Sequence, residues 1–193
     1  MELMGTSSSP TEDATWREVK VRRIRSGEWA ARRDLRLRAL ACDPLAFGST
    51  LARERDFSDV RWQELTDRGA SSEESATFVA QSETAGWVGT VTIARVQGEY
   101  HLFAMWVDPR FRRRGIGGAL LDAALEWFRI GAPHAALRLD VNPRQKDAVR
   151  LYEKRGFRPT GGTAPLGHTE GEVVIGMVLD ARRPGSRPRR ATA

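Results

Sequence analysis

A chain of 193 residues with 40% hydrophobic positions can bury one core, so a single domain is the expectation. No apolar run approaches a membrane span, no basic start followed by an apolar core marks a leader, and the single cysteine, Cys42, leaves no internal disulfide; the reading is a cytoplasmic protein without a membrane partner. The formal charge of +6 does not imply nucleic acid, because Arg182, Arg183, Arg187, Arg189 and Arg190 carry +5 of it within the last 13 residues.

That basic end, 181–193, and the Ser/Thr-rich start, 1–15, read as disordered tails around a folded domain spanning 16–180. Trp16 to Arg25 alternates at Val19 and Val21, and less cleanly at Ile24, which predicts a first strand. Ser26 reads as the N-cap of a helix carrying Trp29, Leu35, Leu37 and Leu40 and ending near Asp43-Pro44. Pro44 to Ser49 reads as a loop, and Thr50 to Arg68 as one broken or two short helices. Phe57 and Trp62 there either anchor a short helix or line a pocket. Ala76 to Gln81 and Gly86 to Arg95 are apolar and β-branched, joined by a hairpin-like turn at Ser82 to Ala85. A break at Gln97-Gly98 leads into a third strand from His101, and three antiparallel neighbours are the natural arrangement.

The next stretch carries the chemistry. Leu102, Phe103, Met105, Trp106 and Val107 continue the strand until Asp108-Pro109 stops it. Arg110, Arg112, Arg113 and Arg114 lead into Gly115-Ile116-Gly117-Gly118, after which Leu120, Leu121, Ala124, Leu125 and Phe128 recur at helical spacing. Glycines let the backbone turn its N–H groups toward one point, and a helix start adds unpaired donors and a positive dipole end. Such a nest with arginines around it suits a diphosphate; glycines alone would only turn a strand into a helix. Beyond Gly131-Ala132-Pro133, a strand is predicted at Ala136 to Val141. A helix follows at Gln145 to Arg155, with Ala148, Leu151 and Tyr152 on one face and Gly156 at its stop. Strands at Phe157 and at Val173 to Leu179 close the sheet.

The segment resembles motif A of the GNAT superfamily of N-acetyltransferases: Arg112, Gly115 and Gly117 occupy its fixed places, and Val107-Asp108-Pro109 matches the usual approach. Leu139 to Phe157 looks like motif B, ending Leu151-Tyr152-Glu153-Lys154-x-Gly156-Phe157, with Gln145 where the family often has Asn. The resemblance implies an α/β (α+β) fold with a mixed, mainly antiparallel sheet of about six or seven strands flanked by about four helices. It implies acetyl-coenzyme A as cosubstrate, with loop amides and side chains from Arg112, Arg113, Arg114, Gly115, Ile116, Gly117 and Gly118 around the diphosphate. Backbone groups of Met105, Trp106 and Val107 would face the thioester, between strands splayed at a bulge. Tyr152 matches the tyrosine that protonates the leaving thiolate. Asn142 either caps the next helix beside Pro143 or touches the cofactor arm. Glu99 and His101 share a strand face and are the candidate bases.

His134 and His168 have no partner at ligand spacing, so no metal is expected. Cys42 lies in ordinary packing sequence and is not read as a nucleophile. A dinucleotide-binding unit is a poor fit, although Asp140 lies at a suitable distance, because the third glycine of its motif falls on Leu120. A non-catalytic acyl-coenzyme A sensor of the same fold is the other alternative. The expected activity is acetyl transfer to a primary amine by a monomer or homodimer with no specific nucleic-acid partner. Polyamines, amine-bearing antibiotics, amino acids and protein N-termini remain open as acceptors, with a pocket built from Asp43 to Arg68 and the Gly161 to Glu172 turn.

Overall fold

Seven strands run through the computed structural model, which describes residues 19–180: β1 (Lys20–Arg23), β2 (Ser75–Ser82), β3 (Gly86–Val96), β4 (Glu99–Val107), β5 (Leu137–Val141), β6 (Arg158–Pro165) and β7 (Val173–Leu179). They form one sheet in the order β1-β2-β3-β4-β5-β7-β6, antiparallel throughout except between β4 and β5. Five helices flank it: α1 (Trp29–Cys42), α2 (Leu51–Arg55), α3 (Asp59–Ser71), α4 (Ile116–Gly131) and α5 (Lys146–Lys154). The two tail readings, 1–15 and 181–193, lie outside the described residues. No described helix is long and apolar enough to cross a membrane.

Alternation along the strands separates two cores. Phe78 and Ala80 of β2 pack with Leu120, Leu121, Ala124, Leu125 and Phe128 of α4, while Val79 between them packs with Leu35, Ala39 and Leu40 of α1. The apolar stripe of α4, read from the sequence, is therefore buried, each square ångström of apolar surface removed from water contributing about 25 cal/mol.

Thr50 and Ser58 cap α2 and α3 by accepting from the Arg53 and Arg61 amides, so the Thr50 to Arg68 stretch divides into two helices. Two expected caps are corrected. Ser26 does not start α1, because Gly27, at φ 87°, carries the turn past it and the helix begins at Trp29. Glu28, in the cap position, instead accepts from the Arg22 guanidinium at 2.6 and 2.9 Å. Asn142 does not cap α5, which begins only at Lys146; its side chain accepts from the Arg144 amide at 2.9 Å and shapes the turn before the helix.

Candidate active site

β4 is where the sheet opens. Trp106 pairs with Thr90 and Phe103 with Thr92, so Ala104 and Met105 together oppose Val91, and Ala104 takes φ 55°. This is a β-bulge with a non-glycine residue in the left-handed region, a conformation that holds only where its surroundings impose it. The extra residue reverses the alternation. Tyr100 and Leu102 pack on the α4 side before the bulge, and Met105 and Val107 do so after it. Trp106 consequently turns to the α1 side, where its Nε1–H donates to Asp43 at 2.7 Å. β4 meets β5 only at Tyr100–Leu137 and His101–Arg138, whereas the other edge of β5 is taken by β7 along its whole length. From Leu102 to Val107 the edge of β4 facing β5 thus has no ladder partner among the described residues, which leaves backbone donors and acceptors there for something else to satisfy.

The loop beyond is anchored by charge. Asp108, 5% exposed, accepts from the Arg110 amide and guanidinium at 3.1, 3.0 and 2.9 Å and from Arg38 at 3.1 Å. These contacts, led by the Arg110 hydrogen bond, hold its carboxyl below the usual range. Arg112 donates to the Val107 carbonyl at 2.8 Å and pairs with Asp43, tying the loop to the end of α1. Arg113 stands at φ 60° and Gly115 at φ 81°, and Gly115 starts α4 with no capping side chain, so the first-turn amides of α4 are left unclaimed by the described residues. Arg113 and Arg114 make no ion pair among the described residues, unlike Arg110 and Arg112.

The glycines serve different ends. Gly115 is required by its φ. A Cβ on Gly117 would lie 3.5 Å from both Leu151 and Met105, and one on Gly118 would lie 2.7 Å from Arg155 Nη2. Gly117 therefore faces protein where β4, α4 and α5 come together, at distances that a single added carbon meets as ordinary contact.

Tyr152 joins that convergence. It is buried in one apolar cluster with Ile116, against which partly buried Met105 and Val107 pack, edge-on to Phe157, and its hydroxyl has no hydrogen-bond partner among the described residues. Burial raises its pKa and keeps the phenol protonated. Asn142, also buried, donates to Glu172 at 3.0 Å, and Arg144 pairs with the same carboxylate. His101 and Glu99 lie on the face opposite Tyr100 and Leu102. His101 Nε2 is 4.0 Å from Glu99, which also accepts from Arg138 at 3.1 Å. Both sit at the closed end of the splay. No cluster of three His, Cys, Asp or Glu suited to a metal occurs among the described residues.

On the α1 side, against the bulge, lies a cleft of about 190 Å³. Phe57 and Trp62 line it, as one of the two sequence readings had it, together with Phe103, Ala104, Thr90 and Thr92. Arg32, Leu35 and Arg36 of α1, Glu54 of α2, Leu65 of α3 and Trp87 of β3 complete the wall; Glu54 and Leu65 fall in the Asp43 to Arg68 stretch expected to build the pocket, whereas the sequence reading missed the two arginines of α1. The arginines had a signal: Arg32 and Arg36, four positions apart on α1, stand three residues before and one residue after buried Leu35, which sets charge beside the packed face of the helix. The Gly161 to Glu172 turn does not line this cleft; it reaches the α1 side only at Phe47, whose carbonyl accepts from His168 Nε2–H at 2.6 Å.

Residues 36–157 match the acetyltransferase (GNAT) family. Among curated relatives, human N-acetyltransferase 8 is 32% identical over 111 residues, 55% of this chain and 46% of that protein. The peptidyl-lysine N-acetyltransferase YjaB of Salmonella typhimurium is 39% identical over 61 residues, 32% of this chain and 38% of its own length. The chain thus spans less than half of these relatives. The fold is that of a GNAT acetyltransferase from Streptococcus pneumoniae, with TM-score 0.72 and 23% identity over 84% of this chain and 99% of that one. YncA from Salmonella typhimurium, solved with its cofactor acetyl-CoA, superposes with TM-score 0.68 at 16% identity over 89% of this chain and 99% of its own. Since the matched stretch runs from α1 through the bulge and the glycine loop to the end of α5, the chain belongs to the acetyltransferase (GNAT) family.

Proposed function

We propose that the protein transfers acetyl from acetyl-CoA to a primary amine. One observation carries the reading: the unclaimed amides at the start of α4 and the unpaired edge of β4 open onto the same splay. An extended arm with a diphosphate at one end fits that pair, diphosphate on the α4 amides and arm along β4 as an added strand. Arg113 and Arg114 supply positive charge that no carboxylate of the described residues already neutralises. Acetyl-CoA supplies an activated carbonyl with a thiolate as its leaving group. Strand amides near Met105 to Val107 donate to the carbonyl oxygen as it gains charge. Tyr152 holds a proton at its free hydroxyl for the departing sulfur. On the opposite face, the cleft admits the amine. His101, coupled to Glu99, takes its proton through water along the face it shares with cleft-lining Phe103.

Two measurements test this. Calorimetric titration should show acetyl-CoA binding that weakens about tenfold in the Arg113→Ala/Arg114→Ala double variant and becomes less salt-sensitive. Release of coenzyme A in the presence of amines should then distinguish catalysis from passive binding. Unchanged affinity in the double variant, or binding without turnover on any amine, overturns the corresponding part.

A further inference from the structure

If the chain transfers acetyl to an amine, the cleft beside the bulge receives that amine, and its wall carries donors that the described residues leave unsatisfied. Trp62 is 1% exposed, and its Nε1–H has no acceptor; the buried Nη1 of Arg36 has none either. The rest of the Arg36 side chain is fixed. Its Nε and Nη2 donate to the two oxygens of Glu54 at 2.9 and 2.7 Å, and its guanidinium lies 4.5 Å from the centre of the Phe47 ring. The fork is locked with one edge free. A buried donor without a partner is unfavourable, and two on the wall of one cleft call for an acceptor group.

Charge narrows the choice. Arg32 and Arg36 face the cleft against the single carboxylate of Glu54, so its wall is net positive. Burial, and then the neighbouring Arg36, lower the Arg32 guanidinium to about 10, which leaves it charged at neutral pH. A polyamine would bring donors to a wall of donors and positive charge to a positive cleft. We propose that the acceptor carries a carboxylate, bound by Arg36 Nη1 and Trp62 Nε1, so that the substrates are small amino-acid-like amines. The cleft volume of about 190 Å³ lies below the roughly 300–1,000 Å³ of pockets for drug-sized ligands, which limits the portion held there to a small one.

The test is calorimetric binding to the full chain saturated with coenzyme A, using matched probes. L-leucine is compared with L-leucinamide, and aminohexanoate with hexanediamine, so that short and long separations between amine and carboxylate are both sampled. In at least one pair the acid should bind at least tenfold more tightly. Trp62→Phe keeps an aromatic ring but removes the N–H together with the five-membered half of the indole, so it should lose that preference. Because Trp62 is 1% exposed, the lost volume should also lower the melting temperature, and unchanged coenzyme A affinity shows that the variant still folds. Arg36→Met should lose it as well, but it strands Glu54, so Trp62→Phe decides. Equal binding within each pair, preference for the diamine or amide, no binding of any probe, or an acid preference that survives Trp62→Phe would each overturn the proposal. Titration with acetyl-CoA reports separately: failure of the wild type to bind it defeats acetyl transfer, whereas a carboxylate preference lost in Trp62→Phe stands without it.

Discussion

On the β5 side of the bulge at Ala104, the site is made of backbone: unpaired amides of β4, a loop in the left-handed region at Arg113 and Gly115, and the bare first turn of α4. On the α1 side it is made of side chains from four separate stretches, Arg32 to Arg36, Glu54 to Leu65, Trp87 to Thr92, and Phe103 with Ala104. The first surface suits a ligand whose diphosphate and amide-bearing arm are always the same. The second changes with each side chain on α1, α2 or α3 while the sheet stays intact. One scaffold can thus keep its donor and vary its acceptor.

The largest expected effect tests whether Tyr152 belongs to the constant side as chemistry or as packing. Tyr152→Phe should lower turnover by about 10²–10⁴ when chemistry is limiting, with acetyl-CoA affinity changed far less. Its melting temperature should hold, because the hydroxyl has no partner to lose. Steady-state kinetics beside a melting curve reads both; near-wild-type turnover assigns the ring to the core alone.

Next, the convergence at Gly117 can be broken by volume. Gly117→Val forces branches toward Leu151 and Met105 and should lower stability by about 1–3 kcal/mol as well as weaken acetyl-CoA binding. Gly117→Ala, whose added carbon meets ordinary contact distances, should retain most of both. Denaturant unfolding and calorimetry of the two variants check this, and a stable valine variant would place the neighbours farther away than described.

A smaller effect is expected at Asp108, whose partners reach it from both the loop and α1. Asp108→Asn replaces charge-assisted bonds from Arg110 and Arg38 with weaker ones and should lower stability by about 1–2 kcal/mol at pH 7. The folded carboxyl titrates below its unfolded value of about 3.9, so its contribution is full above that pH and disappears as pH falls through the depressed folded value. Urea unfolding between pH 2 and 7 should show a shallower acid limb in the variant. Smallest of all, deletion of residues 181–193 should leave turnover of a small amine within about threefold, near 0.6 kcal/mol, since that segment lies outside both motifs. A larger loss would connect its arginines to the site.

Much of the constant side is legible in the sequence because its causes are local. The Asp108-Pro109 stop, the glycine run and the apolar period from Ile116 to Phe128 each act within a few residues, and they mark the strand, loop and helix. Gly156, at φ 94°, ends its helix for the same kind of reason. Ser26 and Asn142 misled as caps because a glycine turn and an Asx turn, respectively, carry the chain on before the helix begins.

What only the tertiary structure decided is non-local. The Ala104 bulge follows from a register shift between β3 and β4, and no residue near Ala104 announces it, since glycine is the usual occupant of a positive φ. Arg112 finds Asp43 across 69 positions and Asn142 finds Glu172 across 30, so which charges remain free to meet a ligand emerges only after folding. The cleft is the clearest case. Arg36 meets Glu54 and Phe47, Trp62 closes beside them, and two donors are left over because packing brought these residues together without supplying an acceptor. Local sequence dictates backbone conformation through sterics and periodicity; the balance of satisfied and unsatisfied polar groups in a pocket is a property of the assembled fold.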